Sequence, residues 1–482
     1  MQKNKIFVNS ILNSIKTVST IVFPIITFPY ISRVLLPEGV GRINFSIAFV
    51  SYFALIASLG VSTYAIRECA KVASNRNALS KTASEIYSIN VLSTVIAYIL
   101  LFFTICFCEN ISSYKSLIII QSSVLLFTTI GAEWLNNAME DFYFITVRSV
   151  VFQFFSLFLI FIFVKNSDDC YKFMLISVVS SCGSCITNIF YRKKFCQVRF
   201  TLKLNLNVHF KPIFFLFAMM ISQVVLLNTD ITMIGIMKND FEVGIYSTAS
   251  KIVCIISSVV SSLVWVVIPS MSIYFNERNY DKINELLEKI FSVLLFLGIP
   301  AIVGIITLAD EVVFICAGES YSKAALPLTI MMFTFLFSLV GGNFLGNMVL
   351  LPSGREKTYM LICSLAAAFN VVLNYFFIPY GGAMAAALTT LISSIIILIL
   401  LIICKDRNIK IDYFFKRLRD PVFGAFIVLS ICILLKNVIL DIYIRTFLCI
   451  TISTFAYCII MKLLKNGVYI QVMNTLLSKI NK

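Results

Sequence analysis

Apolar runs of about 20 residues, each long enough to cross a bilayer as a helix, recur from one end of this 482-residue chain to the other. Fourteen can be placed: 7–31, 43–66, 85–107, 116–136, 144–164, 172–191, 212–236, 246–270, 288–309, 326–350, 358–378, 383–404, 421–440 and 443–462. Composition agrees, with 13% charged residues against about 25% in a soluble domain. The polar/apolar dyads of an outer-membrane barrel are absent. The chain therefore reads as an all-α polytopic membrane protein with about 14 transmembrane helices. Its polar connections are too short to house a catalytic domain. Function is expected on the faces that the helices turn towards each other.

The net charge of +15 reports topology and excludes a nucleic-acid partner. With the N-terminus inside, 28 of the 39 Lys and Arg fall in cytoplasmic segments and nine in outer loops. That asymmetry is the positive-inside pattern; it places both termini in the cytoplasm and requires an even number of spans. The start "MQKNK" lacks a small-residue cleavage site downstream, so the first helix is read as retained. Most of the 14 cysteines, among them Cys254, Cys363, Cys432 and Cys449, sit inside spans, where a thiol is a small hydrophobe. "CGSC" (182–185) lies in a span without βαβ context and reads as packing. The single histidine, His209, falls in a basic loop. No metal site and no Ser/His/Asp chemistry are expected.

Two lysines, Lys16 and Lys251, fall within spans, where charge is costly and usually functional. On the first span Asn9, Asn13, Lys16, Thr20, Pro24 and Thr27 share one helical face, opposite Ile11, Ile15, Val18 and Val22. On the eighth, Ser247, Lys251, Cys254, Ser258, Ser261 and Trp265 form a similar stripe. Such stripes either pack between helices or line water, and each lysine could instead snorkel to a membrane surface. A second polar group comprises Asn370 and Asn374, one turn apart, with Thr389 and Thr390 beyond the "IPYGGA" turn. With Asp230 of the seventh span these could surround a small hard cation, or Asp230 could carry a proton. The plainer readings are interhelical hydrogen bonding and an Asp230–Lys251 ion pair. Asp310, Glu311 and Glu319, in the longest outer loop, read as a solvated rim.

"PEGVGRINFSIAFV" (37–50) lies over "DFEVGIYSTASKIV" (240–253) at an offset of 203. The offset spans six helices, an even number, so the halves insert the same way up. Parallel repeats of that kind are a common transporter plan. The expected domains are 1–211 and 212–420, two six-helix bundles, and 421–482, two extra helices and a cytoplasmic tail.

Several segments in order carry a family resemblance: "FPYISRVLLPEGVGRINFSIAFVSYFALIASLGVSTYAIRECAK", "EDFYFITVRSVV", "DITMIGIMKNDFEVGIYSTASKI", "LLPSGREK" and "NYFFIPYGGAMAAALTTLIS". Over roughly residues 5–465 the chain resembles Wzx-type polysaccharide and O-antigen repeat-unit flippases, within the multidrug/oligosaccharidyl-lipid/polysaccharide exporter superfamily. The resemblance implies a V-shaped parallel repeat of two six-helix bundles plus two C-terminal helices, in a bacterial inner membrane. It implies alternating-access transfer of an undecaprenyl-diphosphate-linked oligosaccharide to the outer leaflet for surface polysaccharide. By the same resemblance Lys16 and Lys251, with Arg33 and Arg42 at the outer mouth, meet the diphosphate-sugar head. Asn13, Thr20 and Ser258 join them as cavity residues. Asp230, Asn374 and Thr390 stand where the lipid-II-flippase branch binds a cation, and Asn370, on the face it shares with Asn374, joins them as a coupling-ion residue. Asn374 replaces that branch's second carboxylate, which leaves Na+, H+ or no coupling open. No cofactor is implied. The partners implied are the lipid-linked oligosaccharide, membrane lipids, a polymerase and a chain-length regulator. The competing readings are a multidrug or organic-cation antiporter of the same fold, and a membrane glycan polymerase or ligase.

Overall fold

The computed structural model describes residues 2–202, 206–410 and 412–480. Side chains at 2–11, 13, 14, 17, 21, 206–208, 211, 219, 265, 414, 415, 472 and 475–480 lie outside that description, and with them the expected roles of Asn9, Asn13 and Trp265. The described chain is helical, with no strand. Lipid leaves no other open choice, because a helix satisfies its own backbone groups where water cannot.

The chain divides into two compact units, 1–244 and 245–482. The first holds α1 (Gln2–Ser58), α2 (Val61–Lys71), α3 (Arg76–Phe107), α4 (Lys115–Gly131), α5 (Trp134–Ala138), α6 (Phe142–Phe163), α7 (Cys170–Tyr191) and α8 (Leu206–Met237). It closes in the first turn of α9 (Asp240–Asn276). The second unit holds the rest of α9, then α10 (Tyr280–Thr307), α11 (Ala309–Ala317) and α12 (Ala325–Ser338). A π-helical stretch, Leu339–Leu350, follows, and then α13 (Glu356–Cys404), α14 (Tyr413–Val438), α15 (Ile442–Leu463) and α16 (Gly467–Ile480).

Twelve helical stretches among the described residues are long and apolar enough to cross a membrane. Two of them, Val18–Lys71 and Glu356–Cys404, contain backbone breaks at Leu36 (φ 59°) and Gly382 (φ 51°). Divided there, the set is consistent with fourteen spans. The multi-pass all-α reading therefore stands.

In the first unit α1 is the hub, packing on α3, α4, α6 and α8. α8, placed by the sequence at the opening of the second bundle, packs on α1 and α2, and Tyr52 of α1 lies 3.2 Å from the Thr232 hydroxyl. One end of the unit is closed by a core of Tyr64, Leu79, Ile86, Leu135 and Ile213. His209 is no loop residue. It is buried on α8, with Tyr64 Oη 2.7 Å from Nδ1 and Glu85 Oε2 3.0 Å from Nε2. Cys182 and Cys185 are buried free thiols, as packing residues should be. In the α6–α7 connection, Asp169 accepts from Lys172 and from the backbone N–H groups of Lys165 and Asn166. Those bonds, Lys172 foremost, hold its carboxyl down at about 2.

In the second unit α14 packs on α10 and α15, and the Tyr457 hydroxyl donates to the Phe296 carbonyl at 2.8 Å. Glu311 departs from the rim reading: only 3% exposed, it pairs with Lys436 at 3.0 Å and Arg445 at 2.9 Å. α11 turns this acid inward, and the two cations come from α14 and α15. Asp310 and Glu319 do face solvent.

The repeat recurs in detail. Asn75 caps α3 and Asn279 caps α10 through their side-chain oxygens. A six-residue 3-10 turn precedes the fourth helix of each half, Glu109–Tyr114 and Glu319–Ala324. The break at Leu36 answers, at the same offset, to Asn239 between α8 and α9. There Gly41 and Gly244 permit a reciprocal crossing. A Cβ on Gly41 would lie 1.9 Å from the Asp240 carbonyl oxygen, and one on Gly244 2.1 Å from that of Pro37. Arg42 and Tyr114 both donate to the Asp240 carboxylate, Arg42 at 2.9 Å. Alanine at either glycine should force backbone movement and cost about 1–3 kcal/mol by overpacking. The check is the thermal unfolding midpoint of purified protein in detergent. Unchanged midpoints for both Gly41→Ala and Gly244→Ala would contradict the crossing.

Candidate functional site

Two helix breaks in the first unit define a cavity. α1 ends at Leu59 and Gly60, both left-handed (φ 44° and 74°). The Ala57 carbonyl freed there accepts from Asn90 Nδ2 at 2.7 Å and Ser93 Oγ at 2.5 Å. α4 ends at Ala132, also left-handed (φ 48°). Its freed carbonyls at Ile130 and Gly131 accept from Arg192 Nη1 and Asn188 Nδ2, each at 2.7 Å. Irregular backbone is tolerated at membrane depth only where protein or a cavity takes up its polar groups. Here side chains of α3, of α7 and of Arg192 just beyond it do so. Between the breaks lies a cavity of ≈ 570 Å³, bordered by Ser58, Asn90, Thr128, Glu133, Trp134 and Asn137.

Glu133 follows directly on the Ala132 break. Its Oε1 lies 3.2 Å from Lys16 Nζ and its Oε2 2.6 Å from Arg148 Nη2. Lys16 therefore faces inward from α1 to a partner on the α4–α5 connection. Arg148 is buried, and among the described residues its Nε and Nη1 find no hydrogen-bond partner, nor do the buried Trp134 Nε1 and Asn136 amide.

The other expected residues divide between the units. In the first, Thr20 is exposed on α1. Arg33 donates to the Pro29 carbonyl of its own helix at 2.9 Å, and Arg42 is drawn to Asp240. Asp230 is buried on α8, which packs on α1. In the second unit Lys251 is half-buried on α9, and Ser258 donates to the Cys254 carbonyl at 2.7 Å. Asn374 Nδ2 donates to Asn370 Oδ1 at 3.0 Å, and Asn370 Nδ2 to Thr390 Oγ1 at 3.4 Å. Thr389 donates to Asn374 Oδ1, so these four residues form one hydrogen-bonded group across the Gly382 break.

The fourth helix of the second half is also distorted, as the π-helix Leu339–Leu350. π-Helical turns are rare and concentrate at functional sites. It carries Asn343, whose Oδ1 accepts from Ser261 Oγ at 3.1 Å. Glu133 and Asn343 thus sit at corresponding distortions of the two halves. Neither was singled out in the sequence. Glu133 lies at the end of the run 116–136, and Arg148, near the start of the run 144–164, is one of the 28 cations counted as cytoplasmic. Breaking the Glu133 contact alone strands the buried Arg148 charge. Because Glu133 is 35% exposed, we expect Glu133→Ala to cost about 2–3 kcal/mol, at or below the range for a fully buried pair. Adding Arg148→Met should restore most of it. Equal unfolding midpoints for single and double variants would refute the pairing.

Residues 6–275 match the polysaccharide biosynthesis protein family. A capsular polysaccharide biosynthesis protein CapF from Staphylococcus aureus is 23% identical over 356 residues, covering 70% of this chain and 85% of its own. A putative O-antigen transporter from Escherichia coli K12 is 24% identical over 365 residues, covering 74% and 86%. Among solved structures, one described as lipid II flippase MurJ in an inward closed conformation superposes with a TM-score of 0.77 at 16% identity. That match covers 96% of this chain and 99% of the other.

Proposed function

The chain belongs to the polysaccharide biosynthesis protein family, and from that premise we propose that it is a flippase for lipid-linked oligosaccharide. The protein is a multi-pass membrane transporter, not an enzyme. In this reading it carries undecaprenyl-diphosphate-linked repeat units from the cytoplasmic to the outer leaflet of a bacterial inner membrane, with both its termini in the cytoplasm. Similarity to proteins named for O-antigen transport and capsular polysaccharide biosynthesis supports the substrate class.

The observation that carries the reading is the double neutralisation of Glu133 by Lys16 and Arg148. An organic-cation antiporter needs an acidic residue free to take the drug's charge. Here the cavity's carboxylate already meets two cations, and the other polar groups of its lining, set among apolar side chains such as Leu55, Leu125 and Val224, are neutral amides and hydroxyls. Such a lining replaces the water that sugar hydroxyls lose on leaving the cytoplasm. Lys251 acts in this proposal as a contact of the diphosphate, which Lys binds as a point charge. Asp230 acts as the coupling group of the first unit, through Na+ or H+, and the hydrogen-bonded Asn370, Asn374 and Thr390 as a polar group of the second. Exchange between inward- and outward-open states completes the cycle.

Deletion should stop surface polysaccharide and leave lipid-linked oligosaccharide in the cytoplasmic leaflet, inaccessible to a lectin added outside whole spheroplasts. Lys251→Ala at equal protein level should do the same. Normal polysaccharide in either strain would sink the reading. Asp230→Asn should transport with no dependence on the ion gradient. Full retention of that dependence would remove Asp230 as the coupling group.

A further inference from the structure

We infer that the cavity between the Leu59–Gly60 and Ala132 breaks binds a sugar ring of the transported oligosaccharide, through Glu133, Asn137 and Thr128 beside Trp134. This rests on the flippase reading and names the part of the substrate that the first unit holds. The volume of ≈ 570 Å³ falls inside the range of about 300–1,000 Å³ of small-molecule sites. Its polar groups are the ones hydroxyls and acetamido groups need. The carboxylate of Glu133, with one cation on each oxygen, keeps further lone pairs for hydroxyl donors. Asn137 offers both a donor and an acceptor. The Thr128 hydroxyl gives its hydrogen to the Val124 carbonyl at 2.7 Å, which leaves its oxygen to accept. Trp134 borders the same space from the core of the unit, 4% exposed, so a ligand bound there changes its surroundings.

The same features select against the diphosphate here. A carboxylate at the wall repels phosphate, and the two nearby cations are already engaged by it. Headgroup and sugar are thus read by different residues. The cavity takes the sugar, and selection among sugars by it would act through hydrogen bonds left unmade in the wrong complex.

The chain has two tryptophans, Trp134 and Trp265. In full-length Trp265→Phe protein, purified in detergent, Trp134 is the single tryptophan, and excitation at the red edge of its absorption avoids the tyrosines. Two probes are titrated: the oligosaccharides freed by mild acid from the organism's own lipid-linked pool, and inorganic pyrophosphate. We expect the oligosaccharides, and not pyrophosphate, to change Trp134 emission saturably. Asn137→Leu and Glu133→Gln should each weaken that response at least tenfold, and Asn137→Leu serves alone where Glu133→Gln does not fold. A response to pyrophosphate only, a response to neither, or an oligosaccharide response untouched by Asn137→Leu would each overturn the assignment. No transport is measured. Failure here with lipid-linked units still accumulating in the deletion strain removes the sugar site and leaves the flippase reading intact. A Trp134 response without such accumulation does the reverse.

Discussion

Every backbone N–H and C=O in the hydrocarbon must find a partner within the protein. That requirement explains where this chain is regular and where it is not. Long apolar helices need nothing beyond themselves. Where α1 and α4 stop at left-handed residues, their last carbonyls would be stranded, and Asn90, Ser93, Asn188 and Arg192 stand in for the missing N–H groups. The cavity exists because those side chains are present. Without them the breaks would close into continuous helix, and Glu133 would turn to another face.

Most of the fold was legible in the amino-acid sequence, since length and hydropathy decide a membrane helix almost alone. The resemblance to Wzx-type flippases held for a related reason. Its segments, such as "PEGVG" and "GREK", mark the ends and crossings of helices, where the choice of residue is narrow. Lys16 was legible as a charge on a polar stripe, but its partner was not. Glu133 lies at the end of an apolar run, and "TIGAEW" contains no proline and only one glycine to announce a break. Arg148 looked like one more positive-inside residue. Burial of Glu311 and His209 was equally hidden, because both depend on cations and hydroxyls more than 100 residues away in the chain. Periodicity reports which face a residue shares, not what another helix brings to it.

The two halves solve one geometric problem differently. Each distorts its fourth helix, by a left-handed residue at Ala132 in one case and by a π-helix over Leu339–Leu350 in the other. An acid follows the first distortion and an amide lies within the second. Duplicated backbones have kept the irregularity and let the chemistry diverge, as expected if the bend is needed for shape and the side chain for a task particular to each half.

The glycine crossing has a consequence of another kind. Gly41 meets the carbonyl of residue 240, and Gly244 meets the carbonyl of residue 37, its counterpart across the offset of 203. Residue i touching j′ while j touches i′ is the mark of an isologous contact between identical partners. A half-length ancestor pairing with its own copy would make this contact twice from a single glycine codon. Two such copies joined in one chain would carry the glycine twice, so one packing constraint would fall on two positions, 41 and 244, that can no longer mutate together.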